Sequence, residues 1–138
     1  MPTPALSDIL DTFDALDEWM DRYQYLIDLG RQLDGLPEED RTEARRVLGC
    51  TSQVWLKTDF PHGHYGPVSL KADSDAAIVK GLVQVVLSLF DGRTGAEIAE
   101  TDWKGTFKAL GLEAHLTPSR ANGLRSMVER VLVETKPG

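Results

Sequence analysis

Val68-Ser69-Leu70-Lys71-Ala72, then Asp73-Ser74-Asp75, then Ala76 through Phe90 form the most strongly patterned stretch of the chain. The first five residues alternate apolar and polar, the period of a half-buried strand. The acidic and hydroxyl residues that follow suit a helix N-terminus, and Ser74 or Asp73 is expected to cap a helix from about Asp75 to Phe90. Ile78, Val79, Leu82, Val83, Val86, Leu87 and Phe90 cover most of that helix's circumference. A helix apolar on nearly all sides has no face to give to water, so this one is expected at the centre of the core. Gly92 ends it.

Upstream, Val54-Trp55-Leu56-Lys57-Thr58 alternates in the same way, and Pro61-His62-Gly63-His64 between the two runs reads as a turn. The charged segment Glu38 to Leu48 is expected as an exposed connection that becomes a third short strand near Arg46-Val47-Leu48, so the middle reads as an antiparallel meander of about three strands. Ile9, Phe13, Leu16, Met20 and Tyr23 recur at helical spacing. Ser7 is expected to cap a first helix, and Asp17 to open a second carrying Trp19, Tyr23, Leu26, Ile27 and Leu33 inward until Gly35-Leu36-Pro37 stops it. Beyond Gly92, Thr94 and Glu97 stand at capping-box spacing. Asp102 opens a helix carrying Trp103, Phe107 and Leu110 inward and ending at Gly111. Thr117-Pro118 opens the last helix, with Leu124, Met127, Val128, Val131 and Leu132 inward. The expectation is an α+β fold in which a short antiparallel sheet packs against N- and C-terminal helices, in one domain spanning residues 1–138.

At 138 residues the chain can bury a real core. Its formal charge of −7 opposes nucleic-acid binding, which needs cations to neutralise phosphates. Asp8, Asp11, Asp14, Asp17, Glu18 and Asp21 all precede the first basic residue and read as a solvated helix face, with an acidic docking surface as the alternative. The start, Met1-Pro2-Thr3-Pro4, lacks the basic and apolar regions of a secretory leader. The apolar run Leu82–Phe90 is too short to span a bilayer. With one cysteine, these features fit a reducing cytoplasm.

That cysteine, Cys50, lies in Leu48-Gly49-Cys50-Thr51-Ser52-Gln53-Val54-Trp55. Alone it forms no internal disulfide and builds no four-cysteine metal site. A buried inert thiol and a reactive one in an exposed turn both remain open, because small and polar flanks favour the turn while cysteine is often a small core residue. Cys50 with His62, His64 and Asp59 can be drawn as a zinc site, and Cys50 with either histidine as a hydrolytic pair. Histidines between Pro and Gly in a turn are usually solvated, and no local hydrolase signature surrounds them. His115 is distant. Glycines 30, 35, 49, 63 and 66 fit no nucleotide fingerprint. Thiol-based sulfur transfer needs only an accessible sulfur and some stabilisation of its anion. Arg45, Arg46, Lys57 and Arg120 are the candidate cations for that.

Four blocks carry a resemblance. They are Tyr25-Leu26-Ile27-Asp28-Leu29-Gly30, Gly49-Cys50-Thr51-Ser52-Gln53-Val54-Trp55, Ala72-Asp73-Ser74-Asp75 through Leu82, and Leu116-Thr117-Pro118-Ser119-Arg120-Ala121-Asn122-Gly123-Leu124. In this order they resemble the SufE/CsdE family of sulfur acceptors, over roughly Asp17 to Val133. The resemblance implies an α+β fold shared with IscU-type scaffolds and a cytoplasmic role in iron–sulfur cluster biogenesis. It implies a protein that is not itself an enzyme. Such a protein accepts persulfide sulfur from a PLP-dependent cysteine desulfurase of SufS or CsdA type, stimulates it, and passes sulfur to a downstream scaffold. An allosteric activator that carries no sulfur is the alternative. Cys50 falls on the family's acceptor cysteine and Arg120 on its arginine, implied to act near the cysteine loop or at the partner surface. Gln53 and Asp75 fall in matching blocks as well. No metal or cofactor is expected on this chain, the PLP belonging to the partner. One cysteine fits a carrier; a cluster scaffold needs several.

Overall fold

A computed structural model describes residues 3–136, so the reading of Met1 and Pro2 lies outside the described residues. The order of elements is α1 (Leu6–Ala15), α2 (Trp19–Arg31), two 3-10 turns (Glu38–Asp40 and Glu43–Arg45), β1 (Val54–Asp59), β2 (Ser69–Ser74), α3 (Ala77–Phe90), α4 (Gly95–Glu100), α5 (Trp103–Leu110), α6 (Leu112–His115) and α7 (Pro118–Glu134). The architecture is α+β.

Helix α3 is the central element. Eleven of its residues are buried, including Ile78, Leu82, Val85, Leu89 and Phe90, so it meets neighbours in every direction. Each such side chain withdrawn from water contributes on the order of 1.5–3 kcal/mol. Helix α2 packs along it through two glycines. A Cβ on Gly81 would overlap the Leu26 carbonyl, and one on Gly30 would lie 2.8 Å from the Gly81 nitrogen. Bare backbone at both positions lets the two helices approach more closely than side chains allow. Gln84, buried in α3, donates to the Leu29 carbonyl at 3.2 Å and adds a polar tie to the same pair.

Strands β1 and β2 pair antiparallel, Val54 with Ser74 through Asp59 with Ser69. Val54, Leu56, Leu70 and Ala72 are buried and join the core cluster that includes α3. The expected third strand is reduced to a single bridge between Arg46 and Trp55, with the Val47 N–H donating to the Val54 carbonyl at 2.8 Å. The chain turns off the sheet on both sides of the bridge: a 3-10 turn ends at Arg45, and Gly49 turns it at φ +93°. On the side facing α7, the carbonyls of Ala44 and Arg46 accept from the guanidinium of Arg130.

Three expected caps are absent. Helix α1 starts after Ala5 with Ser7 already inside it, α2 starts after Glu18, and α3 starts at Ala77 with Ala76 before it; none of these has a side-chain cap. Asp73 is drawn away by longer-range partners. It is buried and accepts from Leu36 N at 3.0 Å and from Arg41 Nη2 at 2.6 Å, anchoring the segment between α2 and β1. The Ser74 hydroxyl donates to the Gln53 carbonyl at 2.7 Å. Met20 is exposed, because the break at Leu16–Glu18 resets the helical phase. The caps at Thr94, Asp102 and Thr117 form as their spacing predicts. Gly111 adopts the left-handed conformation (φ 69°) that closes α5. Among the described residues no helix is long and apolar enough to cross a membrane.

Candidate functional site

Cys50 lies in the connection between the Arg46 bridge and β1, with Gly49, Thr51 and Gln53 exposed around it. Its thiol turns inward against α7 and donates to the Gly123 carbonyl at 3.5 Å. Gly123 makes this seat: a Cβ there would stand 3.2 Å from the sulfur. Below the thiol is a small cavity of about 10 Å³ with Val79, Leu82, Leu124 and Met127 among its lining residues. That volume is at the lower limit for one water, so the sulfur rests against apolar side chains with little free space. Partial burial pushes the Cys50 thiol above its ordinary range. A carbonyl partner also favours the protonated form, since a carbonyl only accepts.

The loop is fastened at both ends. Thr51 Oγ1 accepts from Ser119 Oγ at 3.3 Å, at the start of α7. The Gln53 N–H donates to Asp75 Oδ1 at 3.0 Å, and the Asp75 N–H returns to the Gln53 carbonyl at 3.3 Å. Asp75 therefore fixes the residue from which β1 departs. Gly49 is needed for its positive φ and for closeness, as a Cβ there would lie 2.6 Å from Ser126 Oγ.

Of the four candidate cations, Arg120 alone lines the cavity with Cys50. Its Nη1 donates to the Tyr23 hydroxyl at 3.3 Å, so α2 orients it. Arg45 and Lys57 both face Asp40, at 3.7 and 3.2 Å, and Arg46 faces Glu43 at 3.6 Å. Of the four, Arg120 is thus the one beside the thiol, and it is burial that raises the thiol's pKa.

His62 and His64 sit in the β1–β2 turn, exposed, with His64 against Phe60 at 5.1 Å between ring centroids. That turn joins the ends of the strands remote from Cys50, a separation of roughly 20 Å for a six-residue strand. The drawn cysteine–histidine pair is thus not assembled. His115 stacks on Trp19 at 4.5 Å, its Nδ1 2.9 Å from the Gly111 carbonyl. Among the described residues no three His, Cys, Asp or Glu side chains group to hold a metal ion.

Reading the sequence did not single out Gly123, Tyr23, Ser119 or Ser126 as parts of this site. Gly123 carried a usable signal, because glycine inside a helix costs about 1 kcal/mol against alanine and calls for a packing reason.

Similarity to known proteins covers nearly the whole chain. The family described as "SufE: Fe-S metabolism associated domain" matches residues 7–134. An uncharacterized SufE-like protein of Rhizobium etli is 47% identical over 133 residues, covering 96% of this chain and 90% of that relative. A second, from Rhizobium meliloti, is 45% identical over 133 residues, with 96% and 95% covered. In fold, the chain is similar to a hypothetical protein from Thermus thermophilus, solved in solution, with a TM-score of 0.74 at 24% identity. That alignment covers 98% of this chain and 96% of the other.

Proposed function

The chain belongs to the SufE family, and we propose that it is a sulfur carrier whose Cys50 accepts persulfide sulfur from a PLP-dependent cysteine desulfurase of SufS or CsdA type. The partner's turnover rises because its persulfide is removed. The sulfur then passes to a downstream iron–sulfur scaffold in the reducing cytoplasm. The carrier does not itself carry out the desulfuration.

The observation that carries this reading is the half-buried thiol on an exposed loop, held by one weak hydrogen bond to the Gly123 carbonyl. Such a thiol is inert at rest and needs little work to present. As the loop leaves its seat, the sulfur loses its burial and its pKa falls toward the ordinary thiol range, releasing a proton to solvent. The Cys50 thiolate attacks the terminal sulfur of the partner's persulfide. A new S–S bond forms on Cys50, the S–S bond to the partner's cysteine breaks, and that cysteine leaves as a thiolate. One sulfane sulfur moves with no net oxidation or reduction. Arg120 is the cation available to the anionic sulfur at the mouth of the seat.

Mass measurement after incubation with desulfurase and cysteine tests this. One added sulfur, lost on reduction and absent in Cys50→Ser, is the expected result. Stimulation of the desulfurase that survives undiminished in Cys50→Ser overturns the carrier and leaves an activator that transfers nothing.

A further inference from the structure

The segment entering the Cys50 loop follows α7 in a regular way. Ser119, Gly123, Ser126 and Arg130 are spaced by four, three and four residues, so they form one stripe along the helix. Each meets the segment in reverse order. Ser119 reaches Thr51, Gly123 receives the Cys50 thiol, Ser126 abuts Gly49, and Arg130 donates to the carbonyls of Arg46 and Ala44.

The two ends of this run differ in strength. At the front stand a thiol–carbonyl contact at 3.5 Å and a hydroxyl pair at 3.3 Å. At the rear Arg130 places Nη1 3.0 Å from the Arg46 carbonyl and Nη2 on that of Ala44, while its Nε engages Glu134. Glu134 in turn accepts from the Thr58 hydroxyl of β1 at 2.6 Å. Charge-assisted hydrogen bonds are about twice as strong as neutral ones. Val47, buried beside the rear fastening, adds apolar contact there, whereas Leu48 next in line is exposed.

We propose that residues 44–51 are a strap laid antiparallel along α7, held fast at Arg130 and released at Cys50, with Arg130 as the positioning residue that limits where the released thiol can go. Sulfur transfer enters only through the carrier reading above; the strap itself rests on geometry alone. Arg130 fastens the strap from the α7 side, while the Val47 N–H fastens it to β1. A complete ladder would stiffen the segment up to Cys50, and no fastening would let it drift across α7. The fixed points at Arg46 and Val47 leave only Leu48 and Gly49 upstream of the thiol to absorb the swing.

Two rates on the full-length chain test this: iodoacetamide alkylation of Cys50 near neutral pH, and amide hydrogen exchange at Val47 beside exchange within β1 and β2. Arg130→Gln is expected to raise alkylation and Val47 exchange together, by about tenfold, the ratio for loss of one charge-assisted hydrogen bond. Exchange within the β1–β2 ladder stays unchanged. Arg130→Lys, with one donor group in place of the fork, falls between. Unchanged alkylation, or a rise matched equally across the ladder, overturns the strap. Where Arg130→Gln does not fold, Thr58→Val removes the donor to Glu134 and is read in the same way, with a smaller rise expected and no rise overturning the proposal. With a desulfurase present, Arg130→Gln lowers kcat for sulfur loading and leaves KM unchanged. Wild-type protein that alkylates as described but never gains sulfur breaks the carrier reading and leaves the strap standing.

Discussion

Two glycine-lined approaches hold this molecule together, and they serve opposite ends. Where α2 crosses α3, Gly30 and Gly81 bring backbone against backbone between two helices. Where the Cys50 loop meets α7, Gly123 and Gly49 bring a loop against one helix, with solvent on its far side. At the first crossing both partners have their own helical hydrogen bonds and Leu26, Leu29 and Leu82 are buried about it, so separation would expose core. At the second, release breaks two weak contacts and uncovers one sulfur. On the carrier reading, the same close packing gives rigidity when both sides are helices and reversibility when one side is a loop.

Substitution at the first crossing should have the largest effect. Gly81→Ala forces the Leu26 carbonyl away from α3 and is expected to destabilise the fold by about 3 kcal/mol, the upper range for overpacking. A denaturant midpoint that falls with unchanged slope would register it. At the second crossing the same change should act on chemistry instead. Gly123→Ala puts a Cβ 3.2 Å from the sulfur and crowds its contact with the Gly123 carbonyl, while about 1 kcal/mol of helix propensity offsets that crowding, so stability should hardly move. Cys50 alkylation should rise by about three- to tenfold, as for loss of one weak hydrogen bond. Equal stability losses at the two glycines would erase the distinction between the two crossings.

Acidity sharpens it further. Burial raises the Cys50 pKa, so the midpoint of its alkylation against pH should lie above that of an exposed thiol and return toward it in Gly123→Ala. The folded pKa is above the unfolded one, so the thiol's contribution is full below the unfolded value and is lost as pH rises through the folded value. Denaturation measured across the alkaline range should show this in the wild type and not in Cys50→Ser. The smallest effect belongs to Tyr23→Phe. It removes the hydroxyl that accepts from Arg120, should cost about 0.5 kcal/mol, and should slow sulfur loading without changing the alkylation rate.

What the sequence disclosed follows the same division. Local rules sufficed for α3, for the caps at Thr94, Asp102 and Thr117, and for the inward faces of α5 and α7, since periodicity and capping act within a few residues. They failed where a distant group intervened. Asp73 looked like a cap until Leu36 and Arg41 claimed it across the fold, and Arg46-Val47-Leu48 keeps a single bridge to β1 before Gly49 turns the chain against α7, where Arg130 holds it from 84 residues away. Cys50 was legible as the candidate centre through the resemblance its block carries. Its seat was not, because Gly123 lies 73 residues away and betrays itself only as a glycine in a helix that had no local use for one.

The seat has a consequence for how such a thiol is switched. The Gly123 oxygen can only accept a proton, so it tolerates sulfur that still has one to offer. Sulfur that has lost its proton meets lone pair against lone pair and is turned out. On the carrier reading, resting and reactive cysteine are therefore two addresses of one side chain, and its charge decides at which of them it is found.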